Sequence, residues 1–176
     1  MVTIYEQTSG NDWLNLYVGF YISDGIGYTG TGEYTIDSFT CYVKRNGSPS
    51  GSIQAHIYSC DGSTTCDASP VESSDESYTA SGISDTEEAK TFTFSGTTVI
   101  GQYDRIVLTV TGGDSTNNIS FRSQLSAVTD WARVAYRAST GWVEQTSNSM
   151  KGEVEGQEYV PPSEDSLLLP PPVAWI

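Results

Sequence analysis

The chain has 176 residues, with 22 Asp plus Glu against eight Lys plus Arg and a formal net charge of −14. It is long enough to bury one sizeable core, and its charge argues against nucleic-acid binding, which draws its affinity from basic side chains displacing counterions. Seventeen glycines and eleven tyrosines, without long runs of strong helix formers, place it in the all-β class. An acidic surface of this kind suits high salt, where screening relieves self-repulsion, and equally suits an ordinary acidic soluble protein.

Along the chain, Met1 to Gln7 alternates Val2 and Ile4 with Thr3 and Tyr5, which predicts a short edge strand. Trp13 to Ile22 reads as one longer strand, with Leu14, Leu16, Val18, Phe20 and Ile22 on one face and Tyr17 and Tyr21 on the other. The glycine-rich segment Ser23 to Glu33 predicts a loop. From Tyr34 to Cys60 the pattern predicts a β-hairpin: Phe39, Cys41 and Val43 face inward on its first strand, Ile53, Ala55 and Ile57 on its second, and the turn formers Asn46 to Gly51 lie between. Tyr42, His56 and Tyr58 then fall on the outer face of that hairpin.

Cys60 to Lys90 is polar, acidic and broken by Pro70 and Gly82, so little regular structure is expected except around Tyr78, from Glu76 to Ala80. Thr91 to Ser95 turns Phe92 and Phe94 inward, and Arg105 to Val110 is an apolar run fit for a central strand. Further strands are expected over Asn118 to Gln124, Arg133 to Arg137, the Trp142 region and Met150 to Gly156. The total is about eight to ten short antiparallel strands in a β-sandwich. The sandwich domain spans residues 1–157. Residues 158–176 form a proline-rich extended tail whose Leu167, Leu168, Leu169, Val173, Trp175 and Ile176 are too apolar to stay in water and are expected to dock on the domain or a neighbouring subunit.

Three cysteines bear on redox state. Cys60 and Cys66 enclose a short polar loop and are either a local disulfide or two free thiols, while Cys41 reads as a small buried hydrophobe. No metal site is expected, because His56 is the single histidine and the loop carboxylates Asp61, Asp67, Asp104 and Asp114 lack the spacing of a calcium loop. Nor is there a nucleophile elbow or phosphate-cradling glycine loop, and the chain reads as non-enzymatic with no cofactor. The longest apolar stretch, Leu167 to Ile176, is too short and proline-broken to span a membrane. No basic and apolar leader precedes the first strand, so Met1 is expected to begin the folded protein.

The segments IDSFTCYVKRNGSPSGSIQAHIYS, KTFTFSGTTVIGQYDRIVLTVTGG and GWVEQTSNSMKGEVEG, in that order across roughly residues 12–156, resemble the jelly-roll modules called choice-of-anchor domains. These look like carbohydrate-binding sandwiches, and they occur in secreted multidomain proteins and in tail, fibre and other virion proteins of prokaryotic viruses. The resemblance implies an antiparallel jelly-roll β-sandwich. With no export signal in view, it implies a structural virion component, a capsid decoration, turret, tail or fibre subunit, assembled in the host cytoplasm and later extracellular. Its implied partners are further copies of itself or other virion proteins. The competing reading is a carbohydrate-binding adhesion module at a cell or virion surface, whose ligand would be a cell-surface glycan. Tyr17, Tyr21, Tyr42, His56 and Tyr58 are the candidate contact residues, either stacking on a sugar ring or packing against a subunit.

Overall fold

Period-2 alternation needs an apolar layer to face, and the chain supplies that layer by splitting its strands between two sheets. The structure, a computed structural model, describes residues 1–18, 21–62, 64–126, 128–137, 141–146 and 148–162. The strands are β1 (Val2–Gln7), β2 (Asp12–Leu16), β3 (Tyr21–Tyr28), β4 (Tyr34–Asn46), β5 (Ser52–Tyr58), β6 (Glu72–Thr79), β7 (Glu88–Thr93), β8 (Val99–Ile100), β9 (Arg105–Val110), β10 (Asn118–Gln124), β11 (Trp131–Arg137), β12 (Gly141–Gln145), β13 (Ser149–Met150) and β14 (Gly152–Glu158). One sheet has eight strands, with the path β1-β14-β4-β10-β13 and with β2, β7 and β8 attached to β10 and β4. The other has six, in the order β12-β11-β3-β9-β5-β6. The pairings are antiparallel throughout, and a single core lies between the sheets.

The inward residues are largely those the alternation selects. Phe39, Cys41, Val43, Ile53, Ala55, Ile57, Phe92, Ile106, Leu108, Phe121, Met150 and Val154 are fully buried. Burial pushes the Cys41 thiol up to about 12, so it stays a protonated, inert core group.

Sheet membership differs from expectation at several places. The expected hairpin is an arch: β4 belongs to the eight-stranded sheet and β5 to the six-stranded one, so their apolar faces oppose each other across the core instead of lying side by side. The end of β4 pairs with β10 and the start of β5 with β9, which leaves neither strand an edge for the other. Gly47 and Gly51, at φ +63° and +81°, make the bend, and a Cβ at Gly51 would lie 2.8 Å from the Gly112 nitrogen. The single strand expected over Trp13 to Ile22 is likewise divided, β2 in one sheet and β3 in the other. Val18, expected inward, is exposed in the connection.

The expected glycine loop over Ser23 to Glu33 is for most of its length β3, held between β11 and β9. Glycine is there because the neighbouring strand comes close: a Cβ at Gly25 would sit 2.1 Å from the Ile106 carbonyl oxygen. The polar stretch after Cys60 also holds more order than expected, with β6, a 3-10 turn over Ala80–Gly82 and the start of β7. The described residues hold fourteen strands, against about eight to ten expected, and these splits contribute to the difference. β14 runs to Glu158, and Tyr159 donates its N–H to the Glu33 carbonyl. The tail residues Leu167, Leu168, Leu169, Val173, Trp175 and Ile176 lie outside the described residues.

One polar cluster is sealed inside. The Arg133 guanidinium forms a bidentate pair with the Asp24 carboxylate, Nε to Oδ1 at 2.9 Å, reaches the Gln145 side-chain oxygen, and lies 5.6 Å from the Phe121 ring centre. Both side chains are essentially without solvent contact. Removing one partner strands the other charge in the core. Asp24→Asn is expected to lower the unfolding free energy by about 3–5 kcal/mol in urea titrations, whereas the joint change Asp24→Leu with Arg133→Met loses much less.

Candidate functional site

Alternation that turns Ile57, Ile106 and Leu108 inward turns Tyr58, Arg105 and Thr109 outward on the six-stranded sheet. Register places Trp142 opposite Tyr136, Tyr136 opposite Ser23, and Ser23 opposite Thr109, so these four share a row across the outer face. Tyr58 stands on β5, with three strands, β11, β3 and β9, between it and Trp142 on β12. Yet their ring centres are 5.3 Å apart, and Tyr136 and Trp142 are 5.1 Å apart. β3, the middle one of the strands between β5 and β12, presents Gly25 and Gly27 on this face, and the Val134 and Arg105 side chains of its two neighbours reach over Gly27. A Cβ at Gly27 would come within 2.8 Å of Val134 Cγ1.

Beneath the indole lies Arg105, its guanidinium carbon 4.7 Å from the ring centre. It is only 1% exposed, and burial draws its pKa down to about 10, an effect that Glu144 opposes. Above β5 and β9 a loop closed by the disulfide Cys60–Cys66 forms the second wall. Asp61 N–H to Thr65 carbonyl at 3.0 Å and Asp67 N–H to Ser59 carbonyl at 2.9 Å set the turn. The Asp104 carboxylate ties it down, accepting from Cys60 N–H at 2.9 Å with one oxygen and from Gly101 N–H at 2.8 Å with the other.

Together these elements enclose an open groove of about 590 Å³, walled by Tyr58, Tyr136, Trp142 and residues 64–68 and floored in part by a hydroxyl pair, Ser23 Oγ to Thr109 Oγ1 at 2.8 Å. The volume falls in the range of small-ligand clefts. Its chemistry is aromatic faces beside hydroxyls. Among the described residues, Asp67 is the single carboxylate in the lining, so the paired carboxylates of glycoside cleavage are not assembled there. No group of three His, Cys, Asp or Glu side chains is placed to hold a metal, again among the described residues.

The five contact residues expected from sequence do not share one surface. His56 and Tyr58 lie on this face, with ring centres 6.4 Å apart, and His56 Nδ1 meets Ser73 Oγ at 2.7 Å. Tyr58 enters the groove and His56 stands outside its lining. Tyr42 is on the opposite sheet, because β4 and β5 are not a hairpin. Its ring is covered by Lys151 Nζ at 3.9 Å, beside a small hollow of about 150 Å³. Next to it Trp13 is flanked by Lys44 and Arg122, at 4.5 and 4.2 Å, and Glu87 accepts from Arg122 and Lys151 at 2.6 Å each. Tyr17 follows β2 near Gly113, away from the groove. Tyr21 begins β3, and its side chain lies outside the described residues.

Trp142 and Tyr136 are the groove residues that sequence reading misses. The signal is local: Val143 packs on the core, so its neighbour Trp142 must face out, whereas Trp131 does cap the core, donating Nε1–H to the Ile4 carbonyl at 3.1 Å. No family model, curated protein or solved structure matches the chain.

The His56 ring titrates below its ordinary value of 6.5 because burial penalises its charged form. Its contribution to stability is therefore complete above pH 6.5 and is lost as pH falls from there toward the folded-state value. Urea midpoints compared between pH 7 and pH 5 should fall less in His56→Gln than in the parent. Equal losses would show that the histidine does not report on that environment.

Proposed function

We propose that this protein is a non-enzymatic glycan-recognition module with a jelly-roll β-sandwich, serving adhesion at the surface of a prokaryotic virus particle or a cell. The observation that carries the reading is the groove, where Tyr58, Tyr136 and Trp142 converge beside the paired hydroxyls of Ser23 and Thr109. Aromatic faces supply stacking area for a sugar ring, and neighbouring hydroxyls supply orientation by hydrogen bonds. The like-named surface of the other sheet supports recognition less well. Its Trp13 and Tyr42 faces are already occupied by Lys44, Arg122 and Lys151. The resemblance to choice-of-anchor modules supports the setting in a virion, as a decoration, turret, tail or fibre component.

On this reading Trp142→Ala and Tyr58→Ala each weaken binding to an immobilised glycan panel by roughly 30-fold, the effect of losing about 2 kcal/mol at a contact that dominates an interface. Tyr42→Ala, on the far sheet, should leave affinity unchanged. Saturable binding that survives both groove substitutions would remove the groove from the mechanism.

The apolar composition of residues 167–176 favours a second reading, a structural subunit that assembles with copies of itself or with other virion proteins through its tail. Truncation after Pro162 then leaves a folded monomer with the thermal stability of the full chain. Size-exclusion chromatography and electron microscopy would show assembly only for the full chain, and identical assembly of both proteins would discard the tail as its cause.

A further inference from the structure

We infer that the groove on the six-stranded sheet takes an uncharged sugar and rejects uronate, sialylated and sulfated glycans. The inference rests on the glycan reading above and adds the chemical class of the ligand. Among the described lining residues the one charged side chain is Asp67, an acid on the disulfide-closed wall. Among the described side chains, the cation packed against the aromatic cluster is Arg105, but it is 1% exposed and lies under Trp142, with its Nη2 turned to the Gly62 carbonyl at 3.5 Å. It supports the ring and presents no donor to the groove.

An anionic sugar entering here would shed part of its hydration shell. Neither an exposed guanidinium nor an ammonium in the described lining would replace the water, and the ligand charge would meet a carboxylate instead. Desolvating a charge without a partner costs more than one stacked ring returns. A neutral sugar has no such penalty. Its hydroxyls can donate to the Asp67 carboxylate and exchange hydrogen bonds with Ser23, Thr109 and the Thr64–Thr65 segment, while its C–H face lies on Trp142. The net charge of −14 pushes in the same direction at long range.

The test compares glycans matched in backbone and differing in charge: lactose with sialyllactose, and polygalacturonate and alginate each with its carboxyl-reduced form. Binding is measured by calorimetry or affinity electrophoresis at roughly 1 M salt, where the Debye length of about 3 Å removes the long-range charge and leaves the lining to decide. The expected result is that the neutral member of a pair binds and its acidic counterpart binds about tenfold or more weakly. Asp67→Lys, checked for an unchanged circular dichroism spectrum, should narrow or reverse that gap, and Trp142→Ala should abolish the neutral binding. Acidic glycans bound as tightly as their neutral partners, in a manner lost in Trp142→Ala, would overturn the uncharged class while leaving glycan recognition in place. Absence of binding by both members of every pair would overturn this inference and the glycan reading together.

Discussion

The arch between β4 and β5 is the constraint on which the rest of the molecule depends. Asn46 to Gly51 carries the chain from one sheet to the other, and the left-handed backbone of Gly47 and Gly51 lets it turn without side-chain strain. Residues flanking other strands hold both ends: the Ser48 N–H donates to Asn117 Oδ1 at 2.9 Å, just before β10, and the Ala80 N–H, just after β6, to the Gly51 carbonyl at 2.9 Å. Because the strands face each other, Phe39, Cys41 and Val43 pack toward Ile53, Ala55 and Ile57 through the core, and each of the six is fully buried. A hairpin in the same place would have put all six on one surface and left it without an opposing layer. The arch also separates Tyr42 from Tyr58, and so decides that the two outer faces have different chemistry.

β3 makes a comparable trade. A glycine in a central strand gives up side-chain packing and adds backbone entropy to the cost of folding, roughly 0.5–1 kcal/mol relative to alanine. At Gly25 the return is structural, since β9 could not approach past a methyl group. At Gly27 the return is room for the Val134 and Arg105 side chains, which lie where a Cβ would project, and Trp142 packs over that Arg105. The buried Arg105 and the tethered disulfide loop then hold this aromatic cluster from below and from the side. Groove and core are built by the same strands: Ile106 and Leu108 face the interior while Arg105 and Thr109 lie on the outer side of β9.

How much of this the sequence discloses follows from what alternation encodes. It reports which side chains share a face, and here it identifies the inward residues of β4, β5 and β7, whereas the continuous apolar run of β9 leaves its two faces undistinguished. It does not report which sheet a strand joins, because a hairpin and an arch place the same demand on each strand taken alone. Alternation alone therefore joins β4 to β5 and β2 to β3 within one sheet, and groups Tyr42 with Tyr58. Glycine content misleads at β3 for a related reason: a glycine that permits close approach looks the same as a glycine that permits a turn. Trp142 is readable as outward from Val143, but its meeting with Tyr58 is not, since β11, β3 and β9 lie between their strands. The Asp24–Arg133 pair was hidden because charged residues at inward positions read as loop or surface unless the partner is known.

The two outer faces also divide the electrostatic problem. Lys44, Arg122 and Lys151, three of the eight basic residues, gather on the eight-stranded sheet, where Glu87 bridges two of them and Trp13 and Tyr42 lie under their charges. That surface is satisfied internally, through ion pairs and cation–π contacts that salt weakens. The groove on the other sheet is lined by aromatic rings, hydroxyls and a disulfide-held wall, with Asp67 the one charged side chain among its described lining residues. Stacking and hydroxyl contacts depend little on ionic strength, so glycan binding of the kind proposed would persist in salt that weakens the ion pairs of the basic face. The separation follows from the arch, which sends the basic strand neighbours to one side of the core and the aromatic cluster to the other.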